Sequence, residues 1–77
     1  MTPLTKLLAE TFAIAPTAVS DRLAMCDVDN WNSLTHIELI LGLEEMFGIQ
    51  FVQDEIVEMT TVGAIRAALR RHGLNAD

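Results

Sequence analysis

The chain has 77 residues, a formal net charge of −6 and a pI near 4.6. Its length allows one thin hydrophobic core, so most large apolar residues are needed inside, and its acidity argues against nucleic acid, which takes clustered Lys and Arg, in favour of basic protein surfaces. A lone cysteine, Cys26, forms no internal disulfide; His36 and His72 have no Cys or His partner at metal-ligand spacing; and no apolar run reaches membrane-spanning length.

Thr2 as cap and Pro3 at the first helical position predict a helix in which Leu4, Leu7, Leu8 and Phe12 share a face. Pro16 stops it near Ile14. The run around Ala13-Ile14-Ala15 has the small-x-small look of a cleavage site. Glu10 interrupts its apolar stretch and only Lys6 precedes it, so it reads as an amphipathic helix in a cytoplasmic protein. From Ala15 to Asn32 no helical period is found, which predicts a long loop pinned by Val19, Leu23, Met25, Val28 and Trp31. Trp31 reads as a loop anchor.

The second helix is expected from about Ser33 to Phe47. At 100° per residue His36, Leu39, Ile40, Leu43, Met46 and Phe47 form a core face. The opposite side carries Leu34, Ile37 and Leu41, flanked by Glu38, Glu44 and Glu45. A helix apolar on two faces is buried all round or meets a partner, and so small a domain has few elements with which to enclose it. Gly42, inside the helix, suggests that something approaches closely. Gly48 suits the C′ position. Ile49 and Phe51 then alternate with Gln50 in a short extended piece, followed by a brief helix around Asp54 to Glu58. The last helix is capped by Thr60 or Thr61, turns Val62, Ile65, Ala68 and Leu69 inward, places Arg70 and Arg71 at the negative end of its dipole and ends at Gly73. His36 reads as a packed histidine and His72 as a helix-end one. The expected fold is all-α: a four-helix bundle with a short third helix and a long loop between helices one and two.

Ser33 stands at the mouth of the second helix, in Asp29-Asn30-Trp31-Asn32-Ser33-Leu34, and Leu43-Glu44-Glu45-Met46-Phe47-Gly48-Ile49 closes that helix. A serine before an apolar helix is most often an N-cap; it can also be a chemical handle. With this second block at this spacing, the chain resembles the acyl and peptidyl carrier proteins over most of its length, most sharply from about Asp29 to Val62. In that family an Asp-Ser-Leu motif opens the second helix and a Leu-Glu-Glu-x-Phe-Gly-Ile pattern closes it. Here Asn32-Ser33-Leu34 and Leu43 to Ile49 occupy those places.

The resemblance implies a single carrier domain over residues 1–77 with 4′-phosphopantetheine, taken from coenzyme A, attached to Ser33 as a phosphodiester. The arm would hold an acyl or aminoacyl group as a thioester. It implies a phosphopantetheinyl transferase as one partner, and loading and downstream synthase or transferase enzymes of a fatty-acid, polyketide or nonribosomal-peptide type pathway as others. Leu34, Ile37, Glu38, Leu41, Glu44 and Glu45 match the family's second-helix recognition surface. The departure is Asn32 where the family has Asp: one charge beside the serine is lost, while shape and capping ability are kept. The Trp-x-Ser-Leu approach and the Phe-Gly-Ile block resemble a discrete carrier of a specialised biosynthesis, and Met1 and the short polar tail suit a freestanding monomer. No nucleic acid, membrane or metal is expected. No paired acid and base, nucleophile–His–Asp set or phosphate loop can be assembled, so the chain is not expected to be an enzyme. The competing reading is a helical adaptor that binds a basic partner through the same helix face, with Ser33 only as a cap.

Overall fold

A computed structural model describes residues 2–74 of the chain. The first helix, α1 (Pro3–Phe12), starts as the sequence predicts: Thr2 Oγ1 accepts a hydrogen bond from the Thr5 N–H at 3.2 Å, and Pro3 takes the position where a missing N–H costs nothing. It ends two residues before Ile14. Ala13 adopts φ 55°, a left-handed conformation that terminates the helix ahead of Pro16, and Ile14 N–H returns to Ala9 O at 3.0 Å. Alanine carries no sequence signal for that conformation, whereas Pro16 does mark a stop, three residues too late.

The following loop holds two 3₁₀ turns, Pro16–Ala18 and Met25–Asp27, which are too short to show a period. It is fixed to the start of the last helix. Val62 N–H donates to Leu23 O and Gly63 N–H to Asp21 O, both at 3.0 Å, while Met25 N–H donates to Thr60 O at 2.8 Å. The loop thereby satisfies helix N–H groups that have no partner within the helix. Arg66 adds an ion pair to Asp21. Val28 and Trp31 are buried pins, and Val19, Leu23 and Met25 pack half-buried against the core.

The second helix, α2 (Ser33–Phe47), has the expected bounds and buries His36, Leu39, Ile40 and Leu43. Phe47 is half-buried. Met46 departs from the expected core face: it is 41% exposed, at the rim of an open groove that it shares with Pro3, Lys6 and Leu7 of α1. Leu7 is what approaches Gly42, since a Cβ there would lie 3.1 Å from Leu7 Cδ1. Gly48 takes φ 65°, and Ile49 N–H reaches back to Glu44 O at 3.2 Å to close α2.

The third helix, α3 (Gln53–Glu58), is short as expected, and Glu55 Oε1 accepts from Val52 N–H at its start. The fourth, α4 (Val62–Arg71), is capped by Thr61, whose Oγ1 accepts from Ala64 N–H at 3.0 Å, and it buries Val62, Ile65, Ala68 and Leu69. His72 follows as its cap residue, and its Nε2 lies 3.1 Å from both carboxylate oxygens of Glu55. Among the described residues there are four helices and no strand, only an isolated bridge between Ala24 and Thr61. The fold is the expected four-helix bundle with a short third member. Its core joins Leu4, Leu8 and Phe12 of α1 to Leu39 and Leu43 of α2, Met59 after α3, and Ile65 and Leu69 of α4.

Candidate functional site at the start of the second helix

Asn32, not Ser33, caps α2. Its side-chain oxygen accepts from the N–H groups of Leu34 at 2.9 Å and Thr35 at 3.1 Å, and Thr35 Oγ1 in return accepts from Asn32 N–H at 2.9 Å. This reciprocal box satisfies the helix start without the serine. Ser33 is the first residue of the helix; it is exposed, and among the described residues its hydroxyl has no hydrogen-bond partner. The capping role that competes with a chemical one is therefore filled by its neighbour.

The position is electropositive along the helix axis, since α2 is 15 residues long and its dipole points its positive end here. Asn32 already holds two of the N–H groups that could face an anion, so the dipole and the Ser33 N–H remain for a phosphate bound at Oγ. Around this point the sequence is acidic. No Lys or Arg lies between Arg22 and Arg66, a span that holds eight acids: Asp27, Asp29, Glu38, Glu44, Glu45, Asp54, Glu55 and Glu58.

Running from Ser33 along α2, Leu34 is 71% exposed, Ile37 49% and Leu41 59%, so none of the three packs under the loop. Glu38 and Glu45 are exposed beside them. Glu44 differs from these two: it is half-buried, and its Oε2 accepts from the Phe51 N–H at 2.8 Å, which ties the chain after α2 back onto the helix. Its charge adds to the local field, but its carboxylate is occupied.

A groove of about 280 Å³ opens beside Ser33 between α2 and α3. Ser33 and Ile37 form one wall, Ile56, Val57 and Thr60 the other, with Met25 from the loop. Val57 is 66% exposed and extends the apolar rim of Leu34 and Ile37 onto α3. Sequence reasoning did not find Val57, Ile56 or Thr60, because a helix of six residues is too short for periodicity to say which of two adjacent apolar residues faces out. The floor of the groove is His36. Trp31 Nε1–H donates to its Nδ1 at 3.0 Å, so the ring carries its proton on Nε2 and donates it to Ile56 O at 2.8 Å. The expected packed histidine is thus also the polar link between α2 and α3. Trp31 is buried as an anchor, stacked on Phe12 with ring centroids 4.4 Å apart.

Among the described residues no group of three or more His, Cys, Asp or Glu side chains is placed to hold a metal ion, and no helix is long and apolar enough to cross a membrane. No protein-family model and no curated protein matches the chain. Among solved structures, the holo acyl carrier protein from Geobacter metallireducens, determined by solution NMR, matches with a TM-score of 0.75 over 96% of this chain and 91% of that chain, at 24% sequence identity. The chain has an acyl-carrier-like fold.

Proposed function

We propose that the chain is a carrier protein, a single domain that bears 4′-phosphopantetheine on Ser33 and shuttles an acyl or aminoacyl group between biosynthetic enzymes. The observation that carries this reading is the free, exposed Ser33 hydroxyl at the first position of α2, with Asn32 performing the cap. The fold gains nothing visible from that hydroxyl, which leaves it available for chemistry. The resemblance of its sequence surroundings to the carrier motif and the likeness of the fold to a holo acyl carrier protein support the same reading.

Attachment makes Ser33 Oγ the nucleophile on a transferase. Its new bond to phosphorus replaces the pyrophosphate linkage of coenzyme A, 3′,5′-adenosine bisphosphate leaves, and the hydroxyl proton passes to a base of the transferase. The site fits the product, since the positive end of the α2 dipole favours a phosphodiester and no carboxylate stands at position 32 to oppose it. When bound, the arm supplies a thiol that holds the cargo as a thioester. This chain's residues do the rest: Leu34, Ile37 and Leu41 offer a modest apolar contact, while Glu38 and Glu45, with the field of Glu44, steer basic partner surfaces towards it. Such encounters are transient, as transfer from one enzyme to the next requires, and they weaken with salt.

The test is intact mass after incubation with a broad-specificity phosphopantetheinyl transferase and coenzyme A, beside Ser33→Ala. A single phosphopantetheine adduct, absent from the variant, is expected. If several transferases leave the chain unmodified and Asn32→Asp does not restore the reaction, the carrier reading is wrong.

A further inference from the structure

The groove beside Ser33 has a hydrogen-bonded histidine among its mainly apolar lining. His36 is 8% exposed and joins α2 to α3 through Ile56 O at 2.8 Å, with its other nitrogen held by Trp31. Behind it Leu39, Met59 and Ile65 are fully buried in the core. An alkyl chain that entered from Ser33 and pressed between the two helices would have to part His36 from Ile56. That leaves the imidazole N–H without a partner in apolar surroundings, while Ile56 O keeps only the longer bond from Met59 N–H at 3.3 Å, so the route inward is disfavoured on its own terms.

Resting on the carrier reading above, we propose that His36 is a specificity-determining positioning residue, which bars the α2–α3 groove and keeps the cargo of Ser33 at the protein surface. The groove is open and mainly apolar, with the Thr60 and Ser33 hydroxyls beside Ile37 and Val57 at its mouth. A small or polar cargo, an aminoacyl or short acyl group, loses little by staying there. A long alkyl chain barred from the core is covered on one side only by this open groove, and the area left in water opposes it in proportion. The cargo class is therefore aminoacyl or short acyl, displayed to each enzyme and not sheltered inside the carrier.

The experiment loads Ser33 with acetyl-, octanoyl- and dodecanoyl-phosphopantetheine from the corresponding acyl-coenzyme A using a permissive transferase, with intact mass confirming each adduct. Thioester cleavage by hydroxylamine is then followed by mass, and the amide resonances of Leu39, Met59 and Ile65 are compared across the series. In the natural protein all three thioesters are expected to be cleaved at rates within about twofold, with the core resonances unmoved, because no chain length populates a buried state. In His36→Ala the dodecanoyl thioester is expected to be cleaved about tenfold more slowly than the acetyl one, the effect of a chain exposed in only about a tenth of molecules, and the core resonances shift. His36→Gln, whose amide can again donate to Ile56 O, is expected to return the natural pattern. Slowed dodecanoyl cleavage in the natural protein overturns the proposal whether or not the variants fold, and so does a folded, loaded His36→Ala that protects nothing. Failure of every acyl group to attach to Ser33 is a different result: it removes the carrier reading, and this proposal with it.

Discussion

Trp31 and His36 are bound side chain to side chain, indole Nε1–H to imidazole Nδ1 at 3.0 Å, five residues apart across the start of α2. The bond fixes the imidazole tautomer, and the tautomer sets which partner the other nitrogen can take: Nε2–H donates to Ile56 O at 2.8 Å. A loop residue thereby positions α3 through a helix residue. Trp31→Phe keeps an aromatic ring on Phe12 and removes only the donor, leaving Nδ1 buried without a partner. The expected loss is about 1–3 kcal/mol, the usual cost of an unsatisfied buried polar group. Urea unfolding followed by far-UV circular dichroism measures it; an unchanged midpoint would mean that the bond contributes nothing.

Asn32 and Ser33 are adjacent and do different things. Asn32→Ala removes the acceptor for Leu34 N–H and Thr35 N–H and is expected to cost about 1 kcal/mol, whereas Ser33→Ala should stay within about 0.5 kcal/mol of the natural protein. Asn32→Asp keeps the cap and adds a negative charge at the positive end of the helix, for a gain of about 0.3–1 kcal/mol. Thermal melts of the three unmodified variants check the order. A Ser33→Ala as damaging as Asn32→Ala would hand the cap back to the serine.

The bundle was legible in the sequence where apolar residues repeat over three or more turns or where a cap has a side-chain signature. Thr2 with Pro3, the bounds of α2 and the inward face of α4 all fall in that class. The early end of α1 was not legible, because Ala13 is left-handed without being glycine. Met46 follows the period of α2 yet stands at the rim of an open groove against α1, and periodicity cannot say how completely a neighbour covers a residue. At the site, Ser33 and the exposure of Leu34, Ile37 and Leu41 could be read from motif and helical wheel. The capping box with Thr35, the second bond of His36 and the occupied carboxylate of Glu44 depend on contacts across the fold that local sequence does not encode.

Gly42 faces Leu7 at the α1–α2 contact, with 3.1 Å between a built Cβ and Leu7 Cδ1. That atom is the end of a flexible side chain that also borders the open groove beside Met46, so it has room to move by a few tenths of an ångström. The helix-propensity gain of alanine over glycine, up to about 1 kcal/mol, then exceeds the small cost of the shift. Gly42→Ala is expected to stabilise the fold by about 0.5 kcal/mol, after subtracting for the tight contact. Gly42→Leu, which cannot be absorbed by so small a movement, should destabilise it by about 1–3 kcal/mol. Denaturant midpoints of the pair give the sign; a destabilised alanine variant would show that Leu7 is held rigidly.

Glu55 joins α3 to the end of α4 through His72, with Arg71 Nε 4.0 Å from its carboxylate. Burial acts to raise its pKa and is the largest single influence. The hydrogen bonds from His72 and from Val52 N–H, with the charges of His72 and Arg71, together outweigh it and hold the carboxyl below its ordinary value. A carboxyl depressed on folding stabilises the fold at pH above its unfolded value near 4.5, and that contribution fades as pH falls through the lower folded value. Glu55→Gln removes the titration, so its deficit against the natural protein should be full above about pH 5 and shrink towards pH 3. His72→Gln should reduce the same acid-limb difference, because it takes away the leading bond that lowers Glu55. Unfolding free energies from urea melts between pH 3 and 7 test both variants. A Glu55→Gln deficit that stays constant across this range would show that the Glu55–His72 contact is too exposed to shift the carboxyl, and that α3 is held mainly by His36.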